Sequence, residues 1–141
     1  MKRKATAVWN GDLKKGKGII STESGVLSQT QYSFSTRFED GVGTNPEELV
    51  AAAHAGCFSM ALSAELGKTG TTPEFIQTMA TLTMDRLESG WTVTEIHLEV
   101  TAKITGADRA GFEQAANAAK AGCPISRLLN AKITMNAQLQ N

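Results

Sequence analysis

Asn45-Pro46-Glu47-Glu48-Leu49-Val50-Ala51-Ala52-Ala53-His54-Ala55-Gly56-Cys57-Phe58-Ser59-Met60-Ala61-Leu62 begins with residues that start helices and continues with residues that sustain them. Asn45 suits an N-cap, because its side chain can accept from free backbone N–H groups of the first turn. Pro46 suits the first helical position, where its missing N–H costs nothing. Glu48, three residues after Asn45, can close a capping box. From Leu49 to Leu66 the run is small or apolar on most sides, which predicts a buried helix. Gly67 and Gly70 end it.

Outward from this helix the pattern changes to alternation. Upstream, Lys4 to Asn10, Lys17 to Thr22 and Gln29 to Thr36 read as three strands of a β-meander. Asn10-Gly11-Asp12 and Glu23-Ser24-Gly25 are turn signals between them. Arg37 follows, then a polar loop, Glu39-Asp40-Gly41-Val42-Gly43-Thr44. Downstream, Ala80, Leu82 and Met84 share one face of a strand. After a Ser89-Gly90 turn, the apolar set sits at odd positions (Trp91, Val93). It then moves to even ones (Ile96, Leu98, Val100, Ala102, Ile104). That change of phase predicts a bulge near Thr94-Glu95. A second helix is expected over Ala107–Ala121, and a short one from Cys123-Pro124 to about Asn130. A last strand alternates Ile133, Met135, Ala137, Leu139. The expected architecture is a single α+β domain over residues 1–141. It has an N-terminal β-meander, a long central helix, further antiparallel strands and two C-terminal helices.

Lysine plus arginine number 14, and so do aspartate plus glutamate. A chain of zero formal charge offers no electrostatic case for nucleic acid or an anionic membrane, and little repulsion against self-association. The basic N-terminus is not followed by the apolar core of a signal peptide. No run is expected to reach the roughly 20 apolar residues of a membrane span. With only two cysteines there is no disulfide framework, which fits a reducing compartment. A cytoplasmic, oligomeric protein is the expectation.

The two cysteines, Cys57 in the apolar helix and Cys123 at a helix start, lie far apart in sequence. Two thiols brought together from distant segments can run thiol–disulfide chemistry, one attacking and the other resolving. Each also fits a quieter role, Cys57 as an inert buried thiol and Cys123 as filler of a cap pocket. At an N-cap, Cys123 would meet free N–H groups that favour thiolate. His54 lies one turn from Cys57 and reads either as a general base or as a helix histidine with a local hydrogen bond. The first of these gives an alternative function, a cysteine-nucleophile hydrolase or acyltransferase using Cys57 and His54. His97 falls on the polar side of its strand. The spacing of cysteines and histidines matches no zinc motif, and no glycine motif for a nucleotide is present. Taken alone, Arg37 and Glu47 are loop-edge charges.

The stretch from Asn45 to Leu62 resembles the signature helix of the OsmC/Ohr family of osmotically inducible and organic hydroperoxide resistance proteins. Ala121-Gly122-Cys123-Pro124-Ile125-Ser126 resembles its second cysteine motif. Trp9-Asn10-Gly11-Asp12-Leu13-Lys14-Lys15-Gly16-Lys17-Gly18, Ser21-Thr22-Glu23-Ser24-Gly25-Val26-Leu27 and Thr36-Arg37-Phe38-Glu39 resemble the OsmC branch in particular. The likeness spans essentially the whole chain. It implies an intertwined homodimer with two sites at the subunit interface and no cofactor. It also implies a peroxidase that reduces organic hydroperoxides and is recharged by an external thiol reductant, a dihydrolipoyl system being one candidate. By motif, Cys57 would be the attacking thiol and Cys123 the resolving one. Arg37 and Glu47 would orient thiolate and peroxide. Arg37 would stabilise the thiolate, and Phe58, Met60 and Leu62 would give the site an apolar lining. A straight helix would separate Glu47 from Cys57 by about 15 Å. A break near Gly56 or Pro46, or a second subunit, is therefore expected.

Overall fold

A computed structural model describes residues 1–140. The chain divides into two compact units, Met1–Leu49 and Val50–Asn141.

In the first unit, β1 (Ala5–Asn10), β2 (Lys17–Thr22) and β3 (Thr30–Ser33) form an antiparallel meander in that order. Gly11 turns the first hairpin with φ of 94°. The Asp12 carboxylate then accepts from the N–H groups of Lys14 and Lys15 at 2.9 and 3.0 Å. Gly18 pairs with both Trp9 and Tyr32, whose rings lie 5.4 Å apart. A Cβ on Gly18 would collide with both rings, so the aromatic pair requires glycine there.

The third strand ends earlier than its alternation predicts. Residues Phe34–Phe38 form a short helix, α1. Ser33 is the cause. Its extended backbone and a reciprocal capping box with Thr36 turn the chain into a helix before the strand can continue. Arg37 therefore projects from α1. The following loop returns to β3, where Thr44 N–H donates to the Gln31 carbonyl at 2.9 Å. Gly43, at φ of 139°, permits this close approach.

Helix α2 (Pro46–Gly67) starts as its sequence predicts, with Asn45 Oδ1 accepting from Glu48 N–H at 2.7 Å. The Asn45 amide also donates to the Thr36 carbonyl at 2.9 Å, tying the cap to α1. Glu48 does not complete a capping box. Its carboxylate accepts from the Thr44 hydroxyl at 2.9 Å. Nor is there a break between Pro46 and Cys57, because α2 is helical without interruption. Gly56 is an exposed helical residue and no more.

In the second unit α2 buries one stripe only, His54, Phe58, Leu62 and Leu66, at every fourth position. The rest of its small-residue surface, including Ala52, Ala53, Gly56, Ser63 and Ala64, is exposed. The expectation of burial on most sides therefore fails for one copy of the chain. The expectation that no run reaches membrane-span character also needs correction. By length and composition α2 qualifies, with a mean hydropathy of 1.4 over its best window. Its stripe nonetheless belongs to a protein core with Ile96, Leu98, Val100, Ala102, Phe112 and Ala116, as in the core helix of a small soluble fold.

That core rests on a sheet ordered β4 (Phe75–Leu87), β5 (Gly90–Lys103), β6 (Lys132–Gln140). β4 and β5 are antiparallel. Thr83 pairs with Glu95 but Met84 with Val93, so Thr94 is the extra residue of a bulge, where the phase change predicts one. β6 runs parallel to β5. The connection explains this, since α3 (Arg109–Gly122) and α4 (Pro124–Leu128) carry the chain back before it re-enters the sheet.

Candidate active site

Two clusters carry the residues singled out from sequence. In the second unit, α2 supplies Cys57 and the α3–α4 junction supplies Cys123. Their sulfurs lie 2.8 Å apart, with the Cys123 thiol donating to Cys57, and both cysteines are free. Cys123 ends α3 and also serves as the N-cap of α4, with Pro124 inside the first turn. It makes no side-chain cap hydrogen bond, so the sulfur faces Cys57 instead. Cys123 is fully buried and Cys57 partly exposed. An outside reagent therefore meets Cys57 first.

Burial pushes the Cys57 thiol above its ordinary pKa. The hydrogen bond shared with Cys123, which holds a proton between the two sulfurs, and the charge that Cys123 would carry add to this, while the Ile125 backbone pulls the other way. These neighbours leave Cys57 a protonated thiol at neutral pH, so its activation needs a further group.

His54 does not supply it. The ring is wholly buried, Nε2 shares a hydrogen bond with Ser126 Oγ at 2.7 Å, and Nδ1 has no partner. Burial lowers its pKa. Folded His54 then holds a proton more weakly than it does in the unfolded chain. As pH falls below about 6.5 the unfolded chain gains a proton that the folded one refuses, so stability declines toward acid. Above that pH the contribution is flat. Unfolding free energies of the native chain and His54→Phe, compared from about pH 8 down to about pH 5, should diverge only on the acid side. A constant difference would contradict this.

In the first unit, Arg37 on α1 meets Glu47 in the first turn of α2. Arg37 Nε donates to both carboxylate oxygens at 2.9 and 3.1 Å, and Nη2 donates to Oε1 at 2.6 Å. The Arg37 guanidinium lies 5.2 Å from the centre of the Phe38 ring, which stacks obliquely on Phe34. Beside it a cavity of about 270 Å³ is lined by Trp9, Leu13, Tyr32, Phe34 and Phe38. The apolar surface next to a candidate functional group is therefore here. Phe58 and Leu62 are core residues with no exposed surface, so they do not form the expected lining, whereas Met60 is 77% exposed.

His97, placed by sequence on a polar face, is half-buried and bonds Thr134 on the neighbouring β6 and Glu99 two residues on in its own strand. No group of three His, Cys, Asp or Glu side chains that could hold a metal ion occurs among the described residues. Sequence reasoning missed the aromatic cavity and gave Ser126 no role. The signal for Ser126 was its place three residues after Cys123, mirroring His54 three before Cys57.

The sequence profile of the family described as OsmC-like protein matches residues 38–138. The chain is 50% identical over 139 residues to peroxiredoxin OsmC of Escherichia coli (strain K12), covering 99% of this chain and 97% of that protein. It is 27% identical over 124 residues to the organic hydroperoxide resistance protein OhrB of Bacillus subtilis (strain 168), covering 87% and 89%. Its fold is similar to the crystal structure of an OsmC-like protein from Mycoplasma pneumoniae. There the TM-score is 0.78 at 16% identity, over 100% of this chain and 99% of that one.

Proposed function

The chain belongs to the OsmC-like protein family, and from that premise we propose that it is a thiol peroxidase reducing organic hydroperoxides to alcohols in stress defence. The observation that carries the reading is the pair of free sulfurs 2.8 Å apart, one reachable and one sheltered. The Cys57 thiolate attacks the distal peroxide oxygen. The O–O bond breaks, the alkoxide takes a proton and leaves as the alcohol, and Cys57 becomes a sulfenic acid. The Cys123 thiol then condenses with it, forming the disulfide and releasing water. An external dithiol, of dihydrolipoyl or thioredoxin type, reduces that disulfide.

Arg37 lowers the cost of the Cys57 thiolate and polarises the O–O bond, and Glu47 holds Arg37 by its Nε and Nη2 edge. Since α2 has no break between Glu47 and Cys57, the two pairs are proposed to meet across a homodimer. The exposed small-residue face of α2 supports a second copy. The aromatic cavity beside Arg37 would take the organic group of the peroxide. A cytoplasmic location suits a thiol pair that must be re-reduced.

Thiol titration before and after one equivalent of cumene hydroperoxide tests the activity. Loss of both thiols per chain, with one alcohol formed and no crosslinked dimer, is expected. An untouched thiol count would end the peroxidase reading. A single thiol lost to an acyl adduct on separate incubation with an activated ester would favour a hydrolase, a reading weakened because His54 is committed to Ser126. Sedimentation at low micromolar concentration should show a dimer whose dissociation costs structure. A folded monomer there would refute the shared site.

A further inference from the structure

Helix α4 is one short turn of chain, Pro124–Leu128, and it carries Cys123 at its start with no side-chain cap hydrogen bond. A five-residue helix cannot hold itself in place, because its nucleation cost exceeds what so few bonds return. Yet Cys123 is held with its sulfur against Cys57. Something outside α4 must fix it.

Two side-chain hydrogen bonds among the described residues join α4 and its cap to α2, beside a bond from the Ile125 backbone to Cys57. One is Cys123 to Cys57. The other is Ser126 to His54. Ser126 lies three residues after Cys123 and His54 three before Cys57, so each contact is one helical turn from the other. The second is built at a cost. His54 is fully buried and its Nδ1 is left without a partner. An unpaired acceptor nitrogen is better tolerated than an unpaired N–H. The proton therefore belongs on Nε2, which donates to Ser126 Oγ.

We propose that the His54–Ser126 hydrogen bond is a positioning clamp that holds the α4 turn so that Cys123 is aimed at Cys57 and closes the disulfide. Neither residue touches the reacting atoms; both act through the placement of Cys123. The idea rests on the peroxidase reading only for its physiological role. In that role the clamp shortens the life of the Cys57 sulfenic acid. Without it, a second peroxide has time to oxidise Cys57 to the sulfinic acid.

The test uses the full chain and three variants, His54→Phe, Ser126→Ala and the double variant. Reduced protein is equilibrated with glutathione disulfide. One disulfide forms in the protein, and two glutathione thiols are released. The ratio gives the effective concentration of Cys123 at Cys57. Each single variant should lower it about tenfold, equivalent to about 30 mV. The double variant should lower it no further, since the two residues form one contact. His54→Gln, which keeps an N–H donor near Nε2, should recover much of the loss. In a peroxide pulse, oxidation of Cys57 should keep its rate while closure slows and sulfinic acid accumulates. Should His54→Phe fail to fold, Ser126→Ala still decides the matter. Native closure in Ser126→Ala, or independent additive losses, would overturn the clamp. The glutathione arm needs no peroxide. Indifference to hydroperoxide alongside a clamp-dependent glutathione equilibrium would therefore fault the function and leave the clamp standing.

Discussion

Cys57→Ser abolishes hydroperoxide turnover, and Cys123→Ser permits one oxidation per chain with no disulfide. The two outcomes differ because the sulfurs sit in unlike settings. Cys57 is partly exposed, and Cys123 is wholly buried behind it. A peroxide molecule reaches the first and not the second, so Cys123 cannot take over when Cys57 is lost. A serine hydroxyl at position 57 is a far poorer nucleophile toward peroxide oxygen than a thiolate, and no residual rate is expected. In Cys123→Ser the first step survives. Mass spectrometry should then find one added oxygen on Cys57 after a single equivalent, and further oxygens under excess peroxide. Sustained turnover by Cys57→Ser would sink the assignment of the attacking thiol.

What the sequence disclosed, and what it hid, follows from the range of the interactions. The start of α2 is legible because capping is local: Asn45 and Glu48 are three residues apart and do meet. The bulge at Thr94 is legible because a strand's two faces alternate, and one inserted residue inverts them. The strand expected to run to Thr36 fails on a local signal that was there, Ser33 followed by Thr36, outweighed by the alternation of Tyr32 and Phe34. The α2 surface was misjudged for another reason. Composition records that a face is apolar but not whether the same chain covers it. The contacts that matter most for chemistry, Arg37 to Glu47 and His54 to Ser126, depend on how a loop returns and where a crossover lands. Spacing along the chain carries no trace of the first, and of the second only the mirrored three-residue offsets of His54 and Ser126 from the two cysteines. Family resemblance singled out Arg37, Glu47 and both cysteines, but not Ser126 or the cavity beside Arg37.

Arg37→Lys slows oxidation of Cys57 about 100-fold, the scale of losing one well-placed donor to a developing anion. Charge is conserved in this variant, so the loss isolates geometry. Arg37 gives Nε and Nη2 to Glu47, and a guanidinium holds its donors in one rigid planar fork, so the carboxylate fixes the orientation of all of them. A lysine has one nitrogen. Paired with Glu47, it lacks a fixed second set of donors for thiolate and peroxide; turned toward them, it loses the carboxylate that fixes it. The Cys57 thiol, raised by burial and by Cys123, is then left without compensation. The rate should therefore recover in part as pH rises, because thiolate forms without help there. The acid-to-base rise in the oxidation rate should sit at higher pH in Arg37→Lys than in the native chain. Stopped-flow oxidation across pH measures both effects, with circular dichroism to show that folding is intact. A native rate and an unmoved pH profile would reduce Arg37 to a surface ion pair with Glu47. The cysteines would then need another source of activation.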